Sequence, residues 1–210
     1  MSRTLLYRTN YPPISVSSVT KGSSSTPSSI TVTGISNNVG AIQIPIAYNS
    51  GAASVTDSNG NLYLGTTMYG GAGILTRTLY CFNPIVTSTM TFYINAGSYS
   101  AAVMIVQGST SPAIDSVNGN GTQGSSINSG IVSPSISGEL IIAAAATGTV
   151  STGTPPAIGG FTLVNVPFSS GNWQGLVLYY QVQPSAAPIS VNFTGSNITY
   201  YAATIVARRN

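Results

Sequence analysis

The stretch Met90-Thr91-Phe92-Tyr93-Ile94 decides the fold class. Met90, Phe92 and Ile94 alternate with Thr91 and Tyr93. A two-residue period places one set on each face of a strand, whereas a helix needs apolar residues every three or four positions. The pattern recurs in Ile30-Thr31-Val32-Thr33, in Ile42, Ile44 and Ile46 against Gln43 and Pro45, and in Ile189, Val191 and Phe193 against Ser190 and Asn192. Turn-forming clusters separate the runs: Asn49-Ser50-Gly51, Asp57-Ser58-Asn59-Gly60-Asn61, Gly70-Gly71 and Ser169-Ser170-Gly171-Asn172. No helical period is sustained. The spacing predicts about 10 to 12 strands and an all-β, antiparallel sandwich of jelly-roll or Greek-key type.

Outward from these runs, the chain reads as two related halves. Gly40-Ala41-Ile42-Gln43-Ile44 matches Gly138-Glu139-Leu140-Ile141-Ile142, and Asn61-Leu62-Tyr63-Leu64 matches Gly160-Phe161-Thr162-Leu163. Leu79-Tyr80 matches Leu178-Tyr179, and Met90-Thr91-Phe92 matches Ile189-Ser190-Val191. Ala102-Val103-Met104-Ile105-Val106 matches Ala202-Ala203-Thr204-Ile205-Val206. The order is the same in both halves. One such half has exposed edges and a single apolar face, so two of them would close a core together. The expected organisation is an N-terminal arm over 1–39 and a β-sandwich over 40–210. Its halves are 40–108 and 138–208, joined by linker 109–137; two small domains are the alternative. Ser23-Ser24-Ser25-Thr26-Pro27-Ser28-Ser29 gives the arm little core of its own, which suggests that it is held beside a neighbour's sheet edge.

Charge is the compositional anomaly. Six Lys and Arg, three Asp and Glu, and no His occur in 210 residues, so 4% of the chain is charged; about 25% is usual. Surface charge keeps a free monomer soluble, so an exterior this neutral suggests that other copies cover it. The pI is about 9.1, yet Arg3, Arg8, Lys21, Arg77, Arg208 and Arg209 are dispersed. They form no basic stripe for nucleic acid. No apolar run is long enough for a membrane-spanning helix, so no membrane insertion is expected. The opening Met1-Ser2-Arg3-Thr4-Leu5-Leu6-Tyr7-Arg8 lacks the apolar core of a secretory signal, which points to synthesis in a cytoplasm without general export.

Candidate chemistry is sparse. Without His, the commonest general base and metal ligand is missing, and there is no G-x-S-x-G motif. Only Asp57, Asp115 and Glu139 could serve as acids, and they are far apart in sequence. We therefore expect no enzyme, no catalytic residue, no cofactor and no metal site. Gly119-Asn120-Gly121-Thr122-Gln123-Gly124 has dinucleotide-loop spacing, but no helical segment follows it. Asp57-Ser58-Asn59-Gly60-Asn61 offers alternating oxygens with a single carboxylate, which suits a hairpin turn better than Ca²⁺. Cys81 reads as a buried small hydrophobe. Trp173, with Tyr179 and Tyr180 nearby, is the candidate interface or glycan contact.

Val55-Thr56-Asp57-Ser58-Asn59-Gly60-Asn61-Leu62-Tyr63, then Leu79-Tyr80, then Thr89-Met90-Thr91-Phe92 resembles Ser/Thr/Gly-rich β-sandwich modules. Such modules occur in phage and prokaryotic-virus virion proteins and in bacterial surface proteins. The resemblance implies a jelly-roll-like sandwich with a structural or adhesive role and transfers no functional residue. Together with the missing leader, it leads to an expected structural protein of a virus or phage particle, in the capsid, surface or tail. Its expected partners are its own copies and other virion proteins. An extracellular filament subunit joined by strand donation, and a carbohydrate-binding adhesin module that meets cell-surface glycans, remain open alternatives.

Overall fold

The computed structural model describes residues 13–26, 28–49, 52–108, 112–148, 155–166 and 175–209. The described chain is all-β, with antiparallel sheets and no helix. The first large sheet is centred on β3 (Val39–Asn49), flanked by β7 (Ile74–Phe82) and β9 (Tyr99–Gln107). Strand β1 (Ser15–Ser24) lies outside β9, while the short β5 (Leu64–Gly65) and β6 (Tyr69–Gly71) pair with β7. Its companion small sheet is β2 (Ser28–Thr33), β8 (Thr89–Asn95) and β4 (Ser54–Asp57), in that order.

The second large sheet runs β10 (Ala113–Asn120), β16 (Tyr200–Arg209), β12 (Leu140–Thr147), β14 (Gly175–Val182), β13 (Thr162–Val166). Strands β11 (Ser126–Asn128) and β15 (Asn192–Thr194) form the second small sheet. The first large sheet has the order β1-β9-β3-β7-β5, so each large sheet pairs its first strand with its last and places its second strand centrally.

Three apolar layers hold four sheets in a stack. The first layer joins the first small and large sheets: Ile30, Val32, Val55, Met90, Phe92 and Ile94 meet Ile42, Ile44, Ile46, Val103 and Ile105. The third joins the second large and small sheets, with Ile141, Tyr179 and Ile205 against Ile127, Val191 and Phe193. The middle layer lies between the two large sheets and mixes Leu140, Ile142, Leu176, Leu178 and Met104 with six alanines, Ala41, Ala47, Ala102, Ala144, Ala146 and Ala202. Small side chains let two sheet backbones approach closely. Because each large sheet is covered on both faces, β3 is buried over nearly its whole length and all of β12 is buried. Covering both faces favours small and apolar residues at nearly every position, which masks the period-two signal: Ile42, Ile44 and Ile46 alternate with Ala41, Gln43, Pro45 and Ala47, all buried.

The expected arm and linker contain strands. Ser15–Ser24 pairs with β9 along its length, and Ala113–Asn120 pairs with β16. The described residues form sixteen strands, more than the pattern predicts, because short and polar strands carry little apolar signal. Gly70-Gly71, expected as a turn, lies in β6. The chain reverses instead at Ala72-Gly73, where φ is 51° and 80° as a two-residue type I′ turn requires. The register of two sequence matches also shifts. Ile42 and Leu79 face the first small sheet, whereas their matched partners Leu140 and Leu178 face the middle layer. A one-residue slip exchanges faces, so those matches are one residue out of phase.

Candidate functional site

The fold hides much of the little charge the chain has. Asp57, Glu139 and Arg208 are buried, and Arg77 and Asp115 are half-buried. Among the described residues, only Lys21 and Arg209 are exposed charges. The exterior formed by the described residues is therefore mainly hydroxyl, amide and aliphatic.

Asp57 organises one part of that exterior. Its Oδ1 accepts the backbone N–H groups of Asn59 at 2.9 Å and Asn61 at 3.1 Å. Its Oδ2 accepts from Asn61 Nδ2 at 2.8 Å and from the Tyr63 hydroxyl at 2.7 Å. Gly60 N–H closes the turn on Asp57 O at 3.2 Å, with φ +76° at Gly60. The carboxylate is thus consumed by its own loop. The expected hairpin is corrected to a crossover, because β4 and β5 belong to different sheets. Burial, and then the hydrogen bond to Asp57, push the Tyr63 phenol above its ordinary range.

This knot displays an aliphatic ledge. Asn61 accepts Ile85 N–H at 2.7 Å and donates to Ile85 O at 2.8 Å, which ties the loop before β8 to the turn. Leu62, Leu64 and Ile85 are left 78%, 54% and 68% exposed. They rim a groove of about 440 Å³ whose floor includes Tyr80 and Phe82. Leu64 lies on β5, at the outer end of the first large sheet. A short strand edge with no further partner among the described residues thus lies next to three solvated aliphatic side chains. The individual signals, Leu62, Leu64 and Ile85, are visible in the sequence; their convergence is not.

The sequence candidates fall elsewhere. Trp173 lies outside the described residues. Tyr179 is buried in the third layer, donates to Pro156 O at 2.6 Å and packs against Phe161 and Phe193, so it offers no open ring. Tyr180 is half-buried against the middle layer. Cys81 is a buried free thiol, and burial pushes its pKa up, which disfavours the thiolate. In the G-x-G-x-x-G stretch, Gly119 is in β10 and a side chain at Gly121 would meet the backbone of Gly70. These glycines serve close backbone approach.

Asp115 and Glu139, distant in sequence, come together. Asp115 Oδ2 and Glu139 Oε1 accept the same Ser135 N–H, at 2.7 and 2.9 Å. Neither residue lines the ledge groove. Comparisons with known protein families, with curated proteins and with solved structures find no match.

Proposed function

We propose that this chain is a non-enzymatic structural component of a virus or phage particle, built as two jelly rolls joined back to back. Each half would pair its first strand with its last and its second strand with its penultimate one. The pairings of β1 with β9 and β2 with β8, and of β10 with β16 and β11 with β15, support that reading. So do the matched sequence segments. On it, the halves extend from Ile14 to Gly108 and from Pro112 to Arg209, and the former arm and linker supply each half's first strands. Jelly rolls are a common architecture of viral shells and of lectins, and this likeness is one of architecture only.

The observation that carries assembly is the Leu62–Leu64–Ile85 ledge on an exterior with two exposed charges among the described residues. Bringing such a surface against another copy removes aliphatic area from water without stripping charges of their hydration. The described part of the expected arm is occupied in its own sheet, so the ledge is the better-supported contact.

Sedimentation velocity of the full chain over a hundredfold concentration range tests the reading. The native chain should associate, and Leu62→Ser combined with Ile85→Ser should weaken association at least about tenfold. A native chain that stays monomeric at about 1 mM, well above typical working concentrations, overturns it. Equal association of the double variant removes the ledge.

A further inference from the structure

We propose that the outer face of the first small sheet binds a neutral saccharide, with the Tyr93 ring as its platform. This face is distinct from the ledge, and the inference is independent of assembly. Tyr93 is 52% exposed in the middle strand of its sheet. The residues directly across from it are Ser29 on β2 and Thr56 on β4. Directly opposed side chains start about 5 Å apart, and two side chains this small cannot cover the ring. One pair further along, Ser54 stands opposite Asn95. The result is a groove of about 480 Å³, within the size range of small-ligand sites.

The chemistry of the lining selects the ligand class. Ser29, Ser54, Thr56 and Asn95 bring hydroxyl and amide groups, and no charged side chain among the described residues lines the groove. None of these four side chains, nor the Tyr93 hydroxyl, hydrogen-bonds another described residue. Elsewhere on the same face such groups pair with each other, as Thr31 does with Thr91 at 3.2 Å. Ser28 marks the groove's inner limit, its hydroxyl held by the Tyr99 hydroxyl at 2.6 Å. A pyranose ring has an apolar C–H face and a rim of hydroxyls. The first matches a half-exposed aromatic ring, and the second matches neutral groups that both donate and accept. An anionic sugar would find no cation among the described lining residues, and an aliphatic ligand would strand the unpaired hydroxyls.

Calorimetric titration of the full chain with neutral tetrasaccharides of glucose, galactose and mannose, and with sialyllactose as the anionic probe, tests the proposal. At least one neutral probe should saturate. Tyr93→Ala should weaken it at least about tenfold and Tyr93→Phe less than about threefold, both with unchanged melting temperature. Absence of saturation by about 10 mM for every neutral probe, equal binding by Tyr93→Ala, or preference for sialyllactose overturns it.

Discussion

Replacing Glu139 by Gln should abolish an inverted pH dependence of stability. Glu139 Oε1 accepts the N–H groups of Ser135 at 2.9 Å and Ile136 at 3.0 Å, together with the Ser135 hydroxyl at 3.3 Å. Asp115 competes for the same residue, from Ser135 N–H at 2.7 Å and its hydroxyl at 3.1 Å. Glu139 Oε2 is buried with no donor among the described residues, and so is Oε1 of Gln183 on the facing strand end. Burial first, then the Asp115 charge, raise the Glu139 pKa above its ordinary value against the opposing pull of the two N–H donors. A carboxyl raised on folding favours the protonated native state. Its stabilisation is complete below the unfolded-state pKa, near 4.5, and is lost as pH rises through the native value.

The magnitude follows from the shared donor. Two oxygens on one N–H lie less than about 6 Å apart, where two charges repel by about 1–3 kcal/mol at effective dielectric constants of about 80 to 20. The hydrogen bonds to the ionised form offset part of this, which leaves a net loss of about 1 kcal/mol. That is about 2–4 °C in Tm for a chain of this length. Thermal unfolding followed by circular dichroism from about pH 4 to about pH 7.5 reads it directly. With no His and three carboxyl side chains in the chain, little else titrates in that window. The native chain should lose stability as pH rises, while Glu139→Gln, which keeps the Oε1 acceptor and carries no charge, should be flat. Parallel profiles for the two proteins would refute the reasoning, as would a native stability that rises with pH.

Two further substitutions test the buried polar groups. Arg208 is fully buried, stands 5.7 Å over the Phe82 ring and has no acceptor among the described residues; burial holds its pKa down to about 10. Arg208→Met should leave chemical-denaturation stability unchanged or raise it by about 1–3 kcal/mol, since a buried charge costs more desolvation than the ring returns; a loss of that size would mean that an acceptor completes the site. Asp57→Ala strands the donors of Asn59, Asn61 and Tyr63 and should cost about 2–4 kcal/mol by the same assay; a change below about 0.5 kcal/mol, the level of an ordinary surface substitution, would show the loop to be held by other contacts.

Much of the architecture is visible in local pattern. Ile30–Thr33 and Met90–Ile94 alternate in the sequence and lie in β2 and β8 with alternate residues buried. Ile42, Ile44 and Ile46 mark β3, but their alternation with Ala, Gln and Pro conceals that both faces are covered. Strand β1, with its run of Ser, Thr and Gly, reads as an arm that a neighbour must hold, because its stability comes from the β9 ladder of its own chain rather than from its own apolar content. The candidate sites were the least legible. Tyr93 reads as one more alternating residue until Ser29 and Thr56 are placed opposite it. Tyr179 reads as a surface aromatic until the second small sheet covers it.

By itself the sequence determined the all-β class and the poverty of charge, because side-chain alternation and composition are properties of the chain alone. Tertiary structure decided which face of each strand is inside. It also decided that Asp115 meets Glu139 and that three aliphatic side chains gather at the β5 edge. Those outcomes depend on which distant strands pair and which faces pack, and a two-residue period is equally compatible with many such pairings until the burial of whole sheets selects one.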